Sequence, residues 1–227
     1  MSLGRNIRNW PIYRMNDNYS IITKVYRNLN DEVMKKRTVT PASEWLLDNY
    51  YIIEEQVKGI RVDLDRKLYD TMPDVGKGTP KANTRVLSIA TELVTTTNGQ
   101  IDENKILRYL ETYQKSIILL DREIWILPMM LRIALIEEIR QTVEEIGDNH
   151  IQWALADDLF EKWEVNEASN LEDLLKLIHL TPEINEKNPH FLEHFFYKLR
   201  RAGRGYLDIL NYFNVLLKKD GTSIEEI

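Results

Sequence analysis

Apolar residues recur along almost the whole chain at intervals of three and four. That spacing lines one stripe of side chains along one face of an α-helix. Ile21, Ile22, Val25, Tyr26, Leu29 and Val33 form the first stripe, with Asp17 or Asn18 as the expected N-cap. Lys35, Lys36 and Arg37 fall in its expected last turn, where cations suit the helix dipole. Thr40-Pro41 predicts the next start, an N-cap followed by proline at the first helical position. The stripe after it holds Trp45, Leu46, Ile52, Ile53, Val57, Ile60 and Leu64. Pro73, Gly76, Gly78 and Pro80 mark residues 70–84 as a long loop. Helical spacing resumes at Val86, Leu87, Ile89, Ala90, Leu93 and Val94, and Asn98-Gly99 ends it. Asp102 is the expected cap of a helix with Ile106, Leu107, Leu110 and Tyr113 inward.

The most apolar segment runs from Ile124 to Ile146, with Asp121 as its expected cap. Pro128 should kink this helix or delay its start. Apolar residues surround nearly all of it, which predicts a central position. Further helices are expected at about 149–163, 170–180, 189–202 and 206–219, the third opened by Asn188-Pro189 and closed by Gly203. No segment reads as a convincing strand, and no solenoid repeat is present. The expected fold is all-α: an irregular bundle of about eight or nine helices around 124–146. It is read as one helical domain, 1–227, with sub-bundles 19–147 and 148–227.

Composition narrows the classes. With 227 residues, 43% hydrophobic and 29% charged, the chain can bury a real core and has the balance of a soluble globular domain. It has no cysteine, so disulfides, thiolate metal sites and cysteine nucleophiles are excluded. The charge is 30 basic against 36 acidic residues, net −6, without the basic excess of a nucleic-acid binder. No apolar run reaches the roughly 18 residues of a membrane span, and the longest, Ile124–Ile136, contains Arg132. No secretory signal opens the chain, and Met1-Ser2-Leu3 has the style of a recombinant start. At the other end Asp220-Gly221 closes one helix, and Ser223 with Glu226 has capping-box spacing with no helix to follow. The expectation is a piece of a longer protein.

Individual motifs carry little chemistry. His190-Phe191-Leu192-Glu193-His194 matches the H-x-x-E-H zinc-hydrolase pattern, whose histidines one turn apart can share a metal. Its third ligand would have to be Glu225 or Glu226, and the same segment carries the apolar face of Phe191, Phe195 and Leu199. Lys77-Gly78-Thr79 and Pro80-Lys81 lack P-loop spacing and read as a basic loop. The acid pairs Glu54-Glu55, Glu144-Glu145 and Asp157-Asp158 diverge by about 100° on a helix and do not face across a cleft. Lys198, Arg200, Arg201 and Arg204 make a basic helix end, suited to the dipole or to an acidic partner. Polar residues within the apolar 124–146 region are more telling. Glu123, Arg132, Glu137 and Arg140 accompany Trp125, and a buried arginine there must be paired, with Glu44, Asp48 and Arg85 as partners from other helices. Trp45 and Trp125 could alternatively stack on a sugar ring or simply fill the core.

Several ordered motifs resemble one family. Thr40-Pro41-Ala42-Ser43-Glu44-Trp45-Leu46-Leu47-Asp48-Asn49-Tyr50 is similar to the P-A-x-E-W-L-L-D-N opening of cyclic β-1,2-glucan synthases. Asp63-Leu64, Tyr69, Met72-Pro73, Arg85-Val86 and Tyr113-Gln114 follow in the family's order. Glu123-Ile124-Trp125-Ile126-Leu127-Pro128-Met129-Met130-Leu131-Arg132 resembles its E-L-W-A-L-P-x-M-L-R, and Gly221–Glu226 its G-x-T-x-E-E. Asp65 stands where the family usually has proline, and Asn83-Thr84 precede Arg85 without one. The resemblance spans about 10–227 and is densest from 40 to 140. It implies a place in a very large bacterial glycosyltransferase with a C-terminal phosphorylase-like module, acting on UDP-glucose at the cytoplasmic side of the inner membrane. No D-x-D nucleotide-sugar motif is evident, since Asp63-Leu64-Asp65 sits at a helix end. The implied role is a non-catalytic helical scaffold whose partners are the remaining domains of the synthase, with no cofactor or metal. The alternative is a glucan-binding or acceptor module using Trp10, Trp45, Trp125 or Tyr50-Tyr51; the remote one is a zinc hydrolase. The residues carrying either a ligand or a structural polar cluster are Glu44, Trp45, Asp48, Arg85, Glu123, Trp125 and Arg132.

Overall fold

The computed structural model describes residues 10–75, 84–164, 170–202 and 207–219. Among these there are helices α1 (Pro11–Met34), α2 (Pro41–Asp63), α3 (Arg66–Tyr69), α4 (Arg85–Thr96), α5 (Glu103–Gln114), α6 (Asp121–Glu164), α7 (Leu171–Leu180), α8 (Pro189–Arg201) and α9 (Leu207–Lys218), and no strand. One isolated antiparallel bridge joins Asp74 and Thr84. The fold is all-α. No helix among the described residues is long and apolar enough to cross a membrane. The expected motifs at Lys77–Lys81, Gly203–Arg204 and Asp220–Glu226 lie outside the described residues.

Local chemistry sets most helix ends. The side chains of Thr40, Thr84, Asp102, Asn170 and Asn188 accept hydrogen bonds from the first-turn amides of their helices. Each satisfies a donor that the helix itself leaves open. Asp65, where the resembled family has proline, caps α3 by accepting from the Lys67 amide at 2.7 Å. At the end of α4, the Asn98 amide donates to Thr95 and the Gly99 amide to Val94. Both residues have positive φ, 49° and 71°, as this helix-ending motif requires.

Three expectations are corrected. α1 begins at Pro11, not near Asp17, because proline at the first helical position starts it and Met15 is already in the core. Asn18 is buried inside the helix instead of capping it. The segments expected at 124–146 and 149–163 are one 44-residue helix, α6. Gly147 and its polar neighbours cost helix propensity, but none lacks the amide needed to continue the ladder. Pro128 sits inside α6, whose first residue is Asp121, so it does not delay the start.

The chain divides into two compact units, Met1–Glu145 and Ile146–Ile227, and α6 supplies residues to both. The first is built on aliphatic residues such as Leu46, Ile60, Ile89, Met130 and Ile133, all buried. Its α1 and α2 run antiparallel, as the pairs Asn16–Arg61 and Thr23–Tyr50 require. Tyr26 and Tyr50 stack at 3.9 Å between centroids. The second unit holds all five phenylalanines of the chain, every one buried. Phe195 is central: its ring lies 5.8 Å from Phe191, 6.3 Å from Phe160 and 6.2 Å from Phe213. Trp163 is fully buried there and donates its indole N–H to the Asn170 carbonyl at 3.0 Å.

Truncating Phe195 removes the ring shared by these contacts. Phe195→Ala should cost about 3–5 kcal/mol in the second unit. Hydrogen exchange should show amides of α8 and α9 losing protection, with those of α1 and α2 unchanged.

Candidate functional site

The N-terminus of α6 is built around one carboxylate. Glu123 is 0% exposed. It is the third residue of the helix, and its side chain turns back to accept the Leu120 amide at 3.0 Å. Leu120 in turn accepts from the Glu123 and Ile124 amides at 2.8 and 3.2 Å. This is the carboxylate half of a capping box. The cap expected at Asp121 is therefore formed at Leu120, and Asp121 stands in the first turn.

Arg85, the first residue of α4, completes the site. Its Nε donates to Glu123 Oε1 at 2.9 Å, and its Nη2 donates to Oε2 of the same carboxylate. Nη2 also reaches the Ile118 carbonyl at 3.4 Å. The Arg85 backbone is fixed by its amide, which donates to Pro73 at 2.8 Å, and by the Thr84 cap, whose hydroxyl meets Tyr69 at 3.2 Å. One guanidinium thus holds both ends of the segment from Ile118 to Glu123. Burial pushes the Glu123 carboxyl upward, but the hydrogen bonds from Arg85 and Leu120 outweigh it and hold it below the ordinary value of 4.5. The same bidentate pair raises Arg85 against the opposing effect of its burial.

The segment that this pair ties down exposes large apolar side chains beside the charged Asp121 and Arg122. Trp125 is 81% exposed and Ile118 is 78% exposed, and Ile117, Leu120 and Ile124 are exposed as well. A charge points inward and a tryptophan outward, the reverse of the usual sorting. The expected cluster is thereby partly assembled and partly dispersed. Arg85 and Glu123 meet. Glu44, Asp48 and Arg132 are exposed and make no ion pair among the described residues. The buried arginine expected at Arg132 is corrected: it lies seven residues after Trp125, two turns along the same exposed face. Glu137 instead pairs with Arg14, and Arg140 with Glu144 one turn on. Trp45 is also half exposed, at 55%, whereas Trp10 packs edge-on against Tyr69 at 5.2 Å.

The H-x-x-E-H segment opens α8, and its second histidine is committed to structure. His194 is buried, shares a hydrogen bond of 2.9 Å between its Nε2 and Asp157, and stacks on Trp153 at 4.2 Å. Lys198 binds the same carboxylate at 2.6 Å, which accounts for one cation of the basic helix end. Burial raises Asp157, but the hydrogen bonds from His194 and Lys198 prevail and leave it below its ordinary value. Among the described residues, no group of three or more metal-ligating side chains converges.

Sequence reasoning missed Ile117, Ile118 and Leu120, which lie between two helices and follow no periodic stripe. It also missed the capping role of Glu123, since Leu120 offers no side-chain oxygen to mark the box. Replacing the carboxylate by an amide leaves the Arg85 charge without its partner. Glu123→Gln should destabilise the first unit by about 3 kcal/mol, read as a shifted urea midpoint. A carboxylate whose folded value is depressed stabilises above its unfolded value. This stabilisation is lost as pH falls through the depressed one. Wild type should therefore lose stability on acidification below about 4.5, with a weaker loss in Glu123→Gln.

No family model matches the chain. A curated relative is the cyclic beta-(1,2)-glucan synthase NdvB of Rhizobium meliloti (strain 1021), 26% identical over 215 residues. The match covers 94% of this chain and 7% of that synthase. Both Arg85-Val86 and the Glu123–Arg132 motif, the residues that build the α6 N-terminus, are among those that resemble such synthases. Across nearly its whole length, the chain is thus a relative of one short region of a cyclic β-(1,2)-glucan synthase.

Proposed function

We propose that this chain is a non-catalytic helical interaction module of a glucan-synthase-like glycosyltransferase. The single observation that carries this reading is the set of exposed apolar side chains at the α6 N-terminus, Ile117, Ile118, Leu120, Ile124 and Trp125, in a segment tied at Ile118 and Leu120 by the Arg85–Glu123 pair. Apolar exposure concentrated in one short segment, interrupted by the exposed Asp121 and Arg122, suits burial against a partner, and an exposed tryptophan is a favoured anchor. The 7% coverage of the relative supports a partner within the same polypeptide or assembly. The parent would polymerise glucose from UDP-glucose at the cytoplasmic face of a membrane, with that chemistry outside this segment.

A second reading rests on the same tryptophans. Trp45 and Trp125 both present exposed rings, which suit the C–H face of a sugar. In that case the module holds nascent β-1,2-glucan.

The two readings separate by experiment. The chain is co-expressed with the remainder of its synthase, and co-purification is scored for wild type and for the double variant Ile118→Ser, Trp125→Ser. The interaction reading expects at least about a tenfold loss of association in the variant, because both anchors are removed. Unchanged association contradicts it. In parallel, β-1,2-gluco-oligosaccharides are titrated while indole signals are followed by NMR. Saturable shifts of Trp45 or Trp125 identify the glucan-holding module instead.

A further inference from the structure

A second feature lies on the first unit, where α1 and α2 form an open pocket of about 540 Å³ lined by Asn16, Tyr19, Ser20, Thr23, Lys24, Arg27, Asn28 and Arg61. In a chain of net charge −6, this wall holds three cations and no carboxylate. Asn16, Ser20, Thr23 and Arg27 recur at three- and four-residue spacing and share one face of α1. Arg61 comes from the last turn of the antiparallel α2.

The cations are not neutralised from within. Lys24 and Arg27 make no ion pair among the described residues. Arg61 is oriented without being neutralised: its Nε and Nη2 donate to Asn16 Oδ1 at 3.0 and 2.8 Å, and its guanidinium lies 5.5 Å from the Tyr19 ring centroid. This fixes the arginine plane while leaving Nη1 for a ligand. Tyr19 is held on its other contacts by the Tyr50 hydroxyl at 2.9 Å and by Glu54 at 3.4 Å. Its hydroxyl is pushed up to about 12, first by burial and then by Tyr50, so it adds no negative charge to the wall. Glu54, which accepts from Tyr19, does not line the pocket and is paired with Lys58 at 2.8 Å.

We infer that the α1–α2 pocket binds a phosphate group, held by Nη1 of the preset Arg61 with Arg27 and Lys24 closing around it and the Asn16, Ser20 and Asn28 side chains supplying neutral contacts. A guanidinium N–H makes a charge-assisted hydrogen bond to a phosphate oxygen, and flanking cations add charge. The Arg61–Asn16 contact reduces the ordering that binding demands. This site is independent of the apolar surface at α6 and of the reading based on it.

The test is an NMR titration of the whole chain with inorganic phosphate and with pyrophosphate, following α1 amides and the Arg61 Nε signal. A separate arm uses vesicles of phosphatidylglycerol in phosphatidylcholine. Saturable shifts at Asn16–Asn28 and Arg61, below about 10 mM ligand, are expected with the soluble anions if the phosphate is free. Co-sedimentation with anionic vesicles alone assigns it to a lipid headgroup. In either case Arg27→Gln and Arg61→Gln should weaken binding at least about tenfold, while Lys176→Gln, in the second unit, leaves it unchanged. Arg27 makes no contact whose loss would unfold the helix, so that variant reads binding alone. Absence of saturation in every arm, or equal binding by Arg27→Gln, overturns the inference.

Discussion

Burying a carboxylate is expensive, and the first unit does so at Glu123 because that group performs two structural tasks. It closes the backbone of the α6 N-terminus through Leu120, and it joins α6 to α4 through Arg85. Neither task could be met by an apolar residue of the same volume, since the Leu120 amide would lose its acceptor and the Arg85 guanidinium its carboxylate partner. The pair therefore acts as a positional constraint more than as a source of net stability. What it positions is the segment from Ile117 to Trp125, in which Leu119 and Glu123 are buried while Ile117, Ile118, Leu120, Ile124 and Trp125 are exposed.

The two units solve their packing differently. In the first, the aliphatic core is supplemented by directional polar contacts: the Arg85–Glu123 pair, the Tyr19–Tyr50–Thr23 hydroxyl chain and the Arg14–Glu137 pair. In the second, five phenylalanines and Trp163 fill the interior, and its buried polar tie is the Asp157–His194–Lys198 group. That tie gives a physical account of the H-x-x-E-H pattern. The second histidine is placed by helical spacing onto a buried face, where it serves a carboxylate of α6.

What was legible in the sequence was local. Thr40, Asp102 and Asn188 were readable as caps because capping depends only on residues within one turn. Asn98-Gly99 was readable as a stop for the same reason. The failures needed information from elsewhere in the chain. Trp125 and Arg132 sit in a strongly apolar helix, yet share its exposed face, and which face is covered is decided by neighbouring helices. Glu123 was singled out with Arg85, but its burial depends on α4 arriving at the same point. The continuity of α6 through Gly147 was hidden because propensity favours a break there, and helical hydrogen bonding on both sides overrides it. The cationic pocket was invisible because it draws on Arg27 and Arg61, 34 positions apart along the chain.

The central claim is that the Glu123 carboxylate holds the start of α6 and with it the outward segment. The most direct measurement is hydrogen exchange at the Leu120 amide, which donates to that carboxylate. The isolated chain is compared with Glu123→Ala. The account predicts a protected Leu120 amide in wild type. In the variant, Leu120 and the amides through Trp125 should exchange at least about a hundredfold faster, as for a local opening made easier by about 3 kcal/mol, with α8 unaffected. Equal protection of Leu120 in both proteins would contradict the account and leave the apolar segment to be held by packing alone.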